Sequence, residues 1–214
     1  MTRRSSKAYS FINPYSYNYF LDNEAVKNFS GLYIDGQSLV FAFNFFNANK
    51  VERASFDFSS IADPVFKHAV NNNYELSIIG GTQSDIELAV NNIKIRYPGI
   101  NVSFYRNGYF SSDKERVETL RKISRTDLLI IGMGTPYQED YAILAKSMLD
   151  KAFIVTCGGF LSQTAFKADY YSPLVKKLGI RWLQRAIRHK YVRQRLIKDY
   201  PIFFLKYIKN RMSK

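Results

Sequence analysis

The chain has 214 residues, enough for one well-buried domain and an appendage, and its 46% hydrophobic and 16% aromatic content excludes a disordered polypeptide. No apolar run reaches the ~18 residues of a membrane span, and the single cysteine, Cys157, excludes an internal disulfide and points to the cytoplasm. The formal charge of +13 is uneven: residues 174–214 contain 13 basic residues and one acid, Asp199, so this end carries +12 and the remaining 173 residues only +1.

No apolar signal core follows the basic start, so no secretion signal is expected, and residues 1–8 read as a flexible basic arm. Tyr9–Ile12 suits a short strand, after which Asn13 caps a helix over Pro14–Phe20. Leu32–Ile34 is a short apolar run closed by the turn signal Asp35-Gly36. Ser38–Phe46 is apolar on both sides and predicts a buried helix; Val51–Ala54 predicts a strand. Ser59 or Ser60 caps a helix reaching about Asn72.

From Glu75 onward strands and helices alternate. Strand Glu75–Ile79, turn Gly80-Gly81 and helix Gln83–Tyr97 come first, with Ile86, Val90 and Ile93 on one helical face. Strand Asn101–Tyr105, turn Asn107-Gly108 and helix Asp113–Ser124 follow. Strand Leu128–Ile131 leads into a helix from Pro136 to about Leu149, and strand Phe153–Thr156 into the turn Gly158-Gly159. This spacing predicts an α/β fold, a mostly parallel sheet with helices on both faces, over residues 9–173.

Leu128–Glu139 is the stretch with the clearest chemistry. Four apolar residues form a buried strand; Gly132 and Gly134 let the backbone approach a ligand with no Cβ in the way. Pro136 suits a first helical turn, and Glu139 places charge where the helix dipole favours it. Strand, Gly-rich turn and helix start is the layout with which α/β proteins bind phosphates and small ligands. The end of the chain differs. Arg181–Lys198 sets Leu183, Ile187 and Tyr191 among basic residues, Pro201 breaks the helix, and Ile202–Ile208 is apolar apart from Lys206. A basic amphipathic helix with an aromatic-apolar segment fits binding in the plane of a membrane.

An ordered series of motifs over about residues 10–200 resembles the WecG/TagA/CpsF glycosyltransferases. Asn13 sits where that family has an Asn after its early strand, and Tyr33-Ile34-Asp35-Gly36 resembles its Ala-Asp-Gly segment. Gly80-Gly81 and Tyr97-Pro98 match a Gly-Gly and a Tyr-Pro, and Asn107-Gly108-Tyr109-Phe110 resembles Asp-Gly-Tyr-Phe. Gly132-Met133-Gly134-Thr135-Pro136-Tyr137-Gln138-Glu139 resembles the signature Gly-x-Gly-x-Pro-Lys-Gln-Glu. Gly158-Gly159 matches a second Gly-Gly, and Leu178-Gly179-Ile180-Arg181-Trp182-Leu183-Gln184-Arg185 resembles Leu-Gly-Leu-Glu-Trp-Leu-Tyr-Arg. Departures are Phe11 for a Thr, Tyr137 for the Lys, Arg181 for the Glu, and Tyr170-Tyr171-Ser172 for Arg-Ala-Pro.

The resemblance implies a Rossmann-like core and an inverting, metal-independent enzyme. It would move a sugar from a UDP-sugar to a polyprenyl-diphosphate-linked saccharide at the cytoplasmic face of the bacterial inner membrane, for exopolysaccharide or capsule. No cofactor is expected, and a homo-oligomer is possible in such a family. Asp57 in Arg53-Ala54-Ser55-Phe56-Asp57 is the counterpart of the family's general base, with Asp63 as the fallback. Gln138 corresponds to a Gln that contacts the nucleotide-sugar, and the other motif residues line the substrate. Arg185 and Arg193 or Arg195 correspond to arginines of the family's C-terminal appendage, suited to a lipid diphosphate. The chain has no Asp-x-Asp, and His68 and His189 resemble no metal-ligand cluster.

Other readings remain open. The basic end and abundant Tyr and Phe also fit nucleic-acid binding, although the apolar Ile202–Ile208 beside the charges suits lipid better. An inactive homologue serving as a membrane-bound interaction module is a third reading. A nicotinamide-dependent oxidoreductase lacks its Gly-x-Gly-x-x-Gly after the first strand. Cys157 reads as a buried strand-end residue rather than a nucleophile.

Overall fold

The computed structural model describes residues 5–166, 183, 186, 187 and 190–212. Elements follow in chain order: β1 (Lys7–Ile12), α1 (Tyr17–Asp22), a 3₁₀ turn (Glu24–Asn28), β2 (Gly31–Ile34), α2 (Gln37–Phe46), α3 (Ala62–Asn71) and β3 (Glu75–Gly80). Then come α4 (Gln83–Arg96), β4 (Asn101–Arg106), α5 (Asp113–Lys122), β5 (Leu128–Gly132), α6 (Tyr137–Met148), β6 (Phe153–Thr156), α7 (Phe160–Phe166) and α8 (Lys190–Met212).

The strands form one six-stranded sheet in the order β2-β1-β6-β5-β3-β4. The ladders β1–β6, β6–β5, β5–β3 and β3–β4 are parallel. Because its central strands are covered on both sides, they are continuously apolar rather than alternating; β5, Leu-Leu-Ile-Ile-Gly, is buried throughout. One face, with Leu76, Ile78, Leu128, Ile130 and Val155, packs against α3, α4 and α7 through Phe66, Ile86, Ile93, Phe160 and Leu161. The other, with Ile79, Leu129, Ile131 and Ile154, packs against α5 and α6 through Leu120, Tyr141, Ala142 and Ala145. The α/β architecture is thus the expected one. Thr82 and Ser112 start α4 and α5 by accepting the Asp85 and Glu115 backbone N–H groups.

The chain divides into two compact units. The first comprises Met1–Phe11, Ala25–Tyr33 and Ala54–Tyr170; the second comprises Ile12–Glu24, Ile34–Arg53 and Tyr171–Lys214. The basic end is thus grouped with two N-terminal segments. The core of the second unit is Leu39 and Ala42 of α2 against Phe203 and Tyr207 of α8, flanked by Ile12, Tyr17 and Ile34.

Several local expectations change. The expected arm is already ordered at Ser6, which is buried and donates to Leu149 O at 2.5 Å while accepting from Ala152 N, and β1 starts at Lys7. The first helix begins at Tyr17, not Pro14, because Asn13 Oδ1 takes the Ser16 N–H and closes a turn ahead of it. Val51–Ala54 is no strand: the Asn44 side chain satisfies both the N–H and the C=O of Val51. Helix α3 begins at Ala62 with no side-chain cap. Helix α2 buries only one side, leaving Phe41 and Phe45 exposed. Pro201 does not end the last helix; α8 runs through it.

Candidate active site

The first unit gathers its Gly-rich turns where β3, β5 and β6 end. Gly80 pairs with Gly132 across the β3–β5 ladder. A Cβ on Gly80 would lie 2.3 Å from the Gly132 carbonyl oxygen, so the two strand ends touch backbone to backbone. Gly81 N then donates to Gly132 O at 3.0 Å, and Gly108 N to Gly81 O at 3.0 Å. The turns after β3, β4 and β5 are therefore one hydrogen-bonded group.

The glycines divide by what surrounds them. Gly132, expected to give a ligand access, is a packing glycine: a Cβ there would lie 2.8 Å from Cys157 Sγ and Leu161 Cδ1. Gly134, at φ +77°, and Gly158, at φ +53°, instead face open space, with nothing within 4 Å of a Cβ position. Among the described residues these are two points where the backbone is left open.

Beneath them lies a polar network that sequence reasoning missed. Glu139 is fully buried, 0% exposed, rather than sitting at an open helix start. Its Oε1 accepts from Ser10 Oγ on β1 at 3.0 Å and from Gln138 Nε2 at 2.7 Å. Ser10 Oγ also meets Thr156 Oγ1 of β6 at 2.8 Å. Gln138 Oε1 accepts the Gly158 N–H at 3.1 Å. Gln138, expected to reach a donor sugar, is thus buried and spans two turns. Burial pushes the Glu139 carboxyl up to about 7, against hydrogen bonds from Gln138 and Ser10 that favour its ionised form. The available signal was Ser10 and Thr156, polar residues at inward positions of otherwise apolar strands.

The Asn107–Phe110 loop is held by Arg106. Its guanidinium donates to Asn107 O, Tyr109 O, Glu115 Oε1 and Thr119 Oγ1 and stacks 4.0 Å over Phe110. Asn107 Nδ2 donates to Gln83 Oε1, and Asn107 Oδ1 accepts from Tyr109 N. Tyr109 itself is exposed.

Asp57 lies in the turn before α3. Its carboxylate accepts from Ser55 Oγ at 2.5 Å on Oδ2, and from Ser59 N at 2.8 Å and Ser59 Oγ on Oδ1. The α3 N–H of Ala62 goes to the Asp57 backbone carbonyl, so the side chain shapes the turn rather than capping the helix. Phe56 and Phe58 on either side pack on Phe160 at 5.1 and 4.9 Å, which anchors this turn to the residue after Gly159. Asp63 is differently placed. Tyr97 Oη donates to it at 2.7 Å and Lys67 pairs with it at 2.7 Å. The Lys67 and Tyr97 hydrogen bonds hold its carboxyl below the usual range. The Tyr97 bond ties α3 to the end of α4, while the Lys67 pair lies within α3. Cys157 is buried with its thiol pushed far up, which leaves it inert at a strand end.

Asn13, Asp35 and Gly36 belong to the second unit. Asp35 pairs with Arg53 at 2.8 Å, and Asp35 N donates to Ile12 O. Arg193 donates to Ala186 O and Ile187 O. Arg185 and the side chain of Arg195 lie outside the described residues. Among the described residues no cluster of three or more His, Cys, Asp or Glu side chains could hold a metal, and no helix is long and apolar enough to cross a membrane. A cleft of about 320 Å³ lies away from these turns, lined by residues including Ser5, Ser6, Lys146 and Lys151.

Over 213 residues, 99% of its length, the chain is 40% identical to the UDP-Gal:alpha-D-GlcNAc-diphosphoundecaprenol beta-1,4-galactosyltransferase of Shigella boydii, of which it covers 90%. It is 29% identical over 150 residues to the N-acetylglucosaminyldiphosphoundecaprenol N-acetyl-beta-D-mannosaminyltransferase of Staphylococcus aureus strain MW2; that match covers 70% of this chain and 58% of that protein. The family model for the glycosyl transferase WecG/TagA/CpsF family matches residues 1–214. The motifs, the parallel sheet and these matches agree: the protein is a glycosyltransferase and belongs to the WecG/TagA/CpsF family.

Proposed function

We propose that the protein transfers galactose from UDP-galactose to undecaprenyl-diphosphate-linked GlcNAc, with inversion, at the cytoplasmic face of the bacterial membrane, in the synthesis of a surface polysaccharide. The observation that carries this reading is the 40% identity over 99% of the chain to a galactosyltransferase of that specificity. A UDP-sugar holds its sugar through an α bond, so the β linkage in that relative's name requires inversion.

The step is a direct displacement. The Asp57 carboxylate takes the proton of the acceptor hydroxyl. The hydroxyl oxygen forms a bond to the anomeric carbon as the bond from that carbon to the UDP oxygen breaks, and the electron pair leaves on the diphosphate. The donor lies on the bare backbone at Gly134 and Gly158, with Asn107–Phe110 beside it. Gln138 and Glu139 act from beneath by fixing the Gly158 turn. Thr135 and Pro136 shape the entry to α6, and Gly80, Gly81, Gly108, Gly132 and Gly159 let the turns approach one another. Asn13, Asp35 and Gly36 bind substrate, and Arg185, Arg193 and Arg195 meet the lipid diphosphate. No metal enters this scheme; positive side chains and backbone N–H groups receive the leaving charge.

The test is incubation with UDP-galactose and a short-chain lipid-diphosphate-GlcNAc in the presence of EDTA, with the product read by mass spectrometry and its linkage by NMR. A β-linked galactosyl product is expected. Transfer from UDP-N-acetylmannosamine alone would move the donor assignment to that sugar, an α-linked product would end the displacement scheme, and complete loss in EDTA would end the metal-free one.

A further inference from the structure

Helix α2 leaves one side unexplained. At 100° per residue, Leu39 and Phe43 share a face, and Phe41 and Phe45 lie on the opposite one. Leu39 is buried in the core of the second unit. Phe41 and Phe45 are 70% and 73% exposed. Their rings sit 6.5 Å apart, and contacts run on from Phe45 to Phe46 at 5.0 Å and from Phe46 to Tyr207 of α8 at 6.0 Å. An unbroken line of aromatic rings thus joins the exposed pair to the last helix within one unit.

Helix α8 carries a matching surface. Phe203 and Tyr207 line its inner face. Ile197, Pro201, Phe204, Leu205 and Ile208, at successive spacings of four, three, one and three, form a second stripe about a third of a turn away. Ile197 and Leu205 are 75% and 72% exposed. Lys198 and Lys209, both exposed, border that stripe, and Lys206 follows farther round. Lys50 caps the C-terminal end of α2 through Asn44 O and Asn47 O. Aromatic and aliphatic side chains rimmed by lysines match an anionic bilayer, which receives rings at the headgroup boundary and attracts the cations.

We propose that Phe41 and Phe45 of α2 insert into an anionic lipid surface, so that the protein grips its membrane with α2 as well as with its basic C-terminal helix. The proposal rests on the membrane-peripheral reading above and adds an N-terminal element to it. Neither ring packs in a core, so both can be replaced without loss of fold.

The test compares the full chain with its F41S/F45S variant in sedimentation with phosphatidylglycerol–phosphatidylethanolamine vesicles. A loss of at least about tenfold in partitioning is expected for two large rings withdrawn from the bilayer. An F45W variant in a Trp182→Phe background should shift its emission to the blue on adding vesicles and be quenched by brominated lipid. Equal partitioning of wild type and F41S/F45S, or an unquenched Trp at position 45, overturns the proposal while leaving the peripheral reading intact. Failure of the wild type itself to bind vesicles removes both. A lower Tm of F41S/F45S without lipid, or a change from dimer to monomer in sedimentation velocity, would assign this face to the protein itself or to a second copy and overturn the proposal.

Discussion

Glu139 is the residue whose environment and chemistry diverge most. Burial lifts its carboxyl to about 7 in the folded protein, well above the ordinary range of a glutamate. The folded protein therefore binds the proton more tightly than the unfolded chain, and stability from this group is full below about pH 4.5 and falls as pH rises through 7. The loss amounts to roughly 3 kcal/mol at most. Denaturant titrations should show wild type weakening between pH 5 and 8, and Glu139→Gln, which keeps the shape without the charge, weakening less. Equal pH slopes for the two proteins would contradict the assignment. Asp57→Asn should lower kcat by about 10²–10⁴ with Tm and donor KM little changed, whereas Asp63→Asn should act on stability through Tyr97 and Lys67. Single-turnover assays and thermal melts separate them. Asp57 was legible as a candidate because a motif surrounds it. The burial of Gln138 was not, because a short-range motif does not reveal that the Ser10 hydroxyl reaches Glu139 from 129 residues away and meets Thr156 across 146.

At the scale of elements, the two kinds of glycine give opposite expectations. Gly132→Ala forces a methyl against Cys157 and Leu161 and should cost about 1–3 kcal/mol, seen as a lower Tm with donor KM retained. Gly134→Ala meets no atom but must hold φ +77°, at a cost of roughly 1–2 kcal/mol. If the donor lies on that backbone, its KM should rise about tenfold, the equivalent of 1.4 kcal/mol of lost contact. An unchanged KM would remove Gly134 from the donor site. The alternation from β3 to β6 was readable because apolar strands, Gly turns and 3.6-residue periodicity all agree there. Val51–Ala54 misled because its apolar character does not show that Asn44 already occupies its backbone groups. Helix α2 misled for a related reason: Phe41 and Phe45 read as core residues, yet only the Leu39 side of the helix has a partner.

For the whole molecule, charge and fold are segregated. On the proposed membrane-peripheral reading the basic end captures the bilayer by charge, and capture by charge is screened. Raising NaCl from about 0.1 to 1 M shrinks the screening length from ~10 to ~3 Å, so binding to anionic vesicles should fall by more than about tenfold, and vesicles of neutral lipid should bind weakly throughout. Salt-independent binding would refute this. Substituting Lys198, Lys206 and Lys209 tests the same point more cleanly than deleting the end of the chain, because deletion also uncovers Leu39 and Ala42. The charge asymmetry was plain in the sequence; the interleaving of the second unit was not, since nothing local in Ile34–Arg53 announces a partner some 150 residues later.

That interleaving has a consequence for biosynthesis. Residues up to Arg53 leave the ribosome long before Phe203 exists. At 5–20 residues per second the interval is roughly 8–30 s. Throughout it, the Leu39 side of α2 lacks its final cover while Phe41 and Phe45 are exposed on the other, so the nascent chain presents apolar surface in every direction around that helix. The second unit can close only once Phe203 and Tyr207 have been made, so its core forms well after residues 12–53 have emerged.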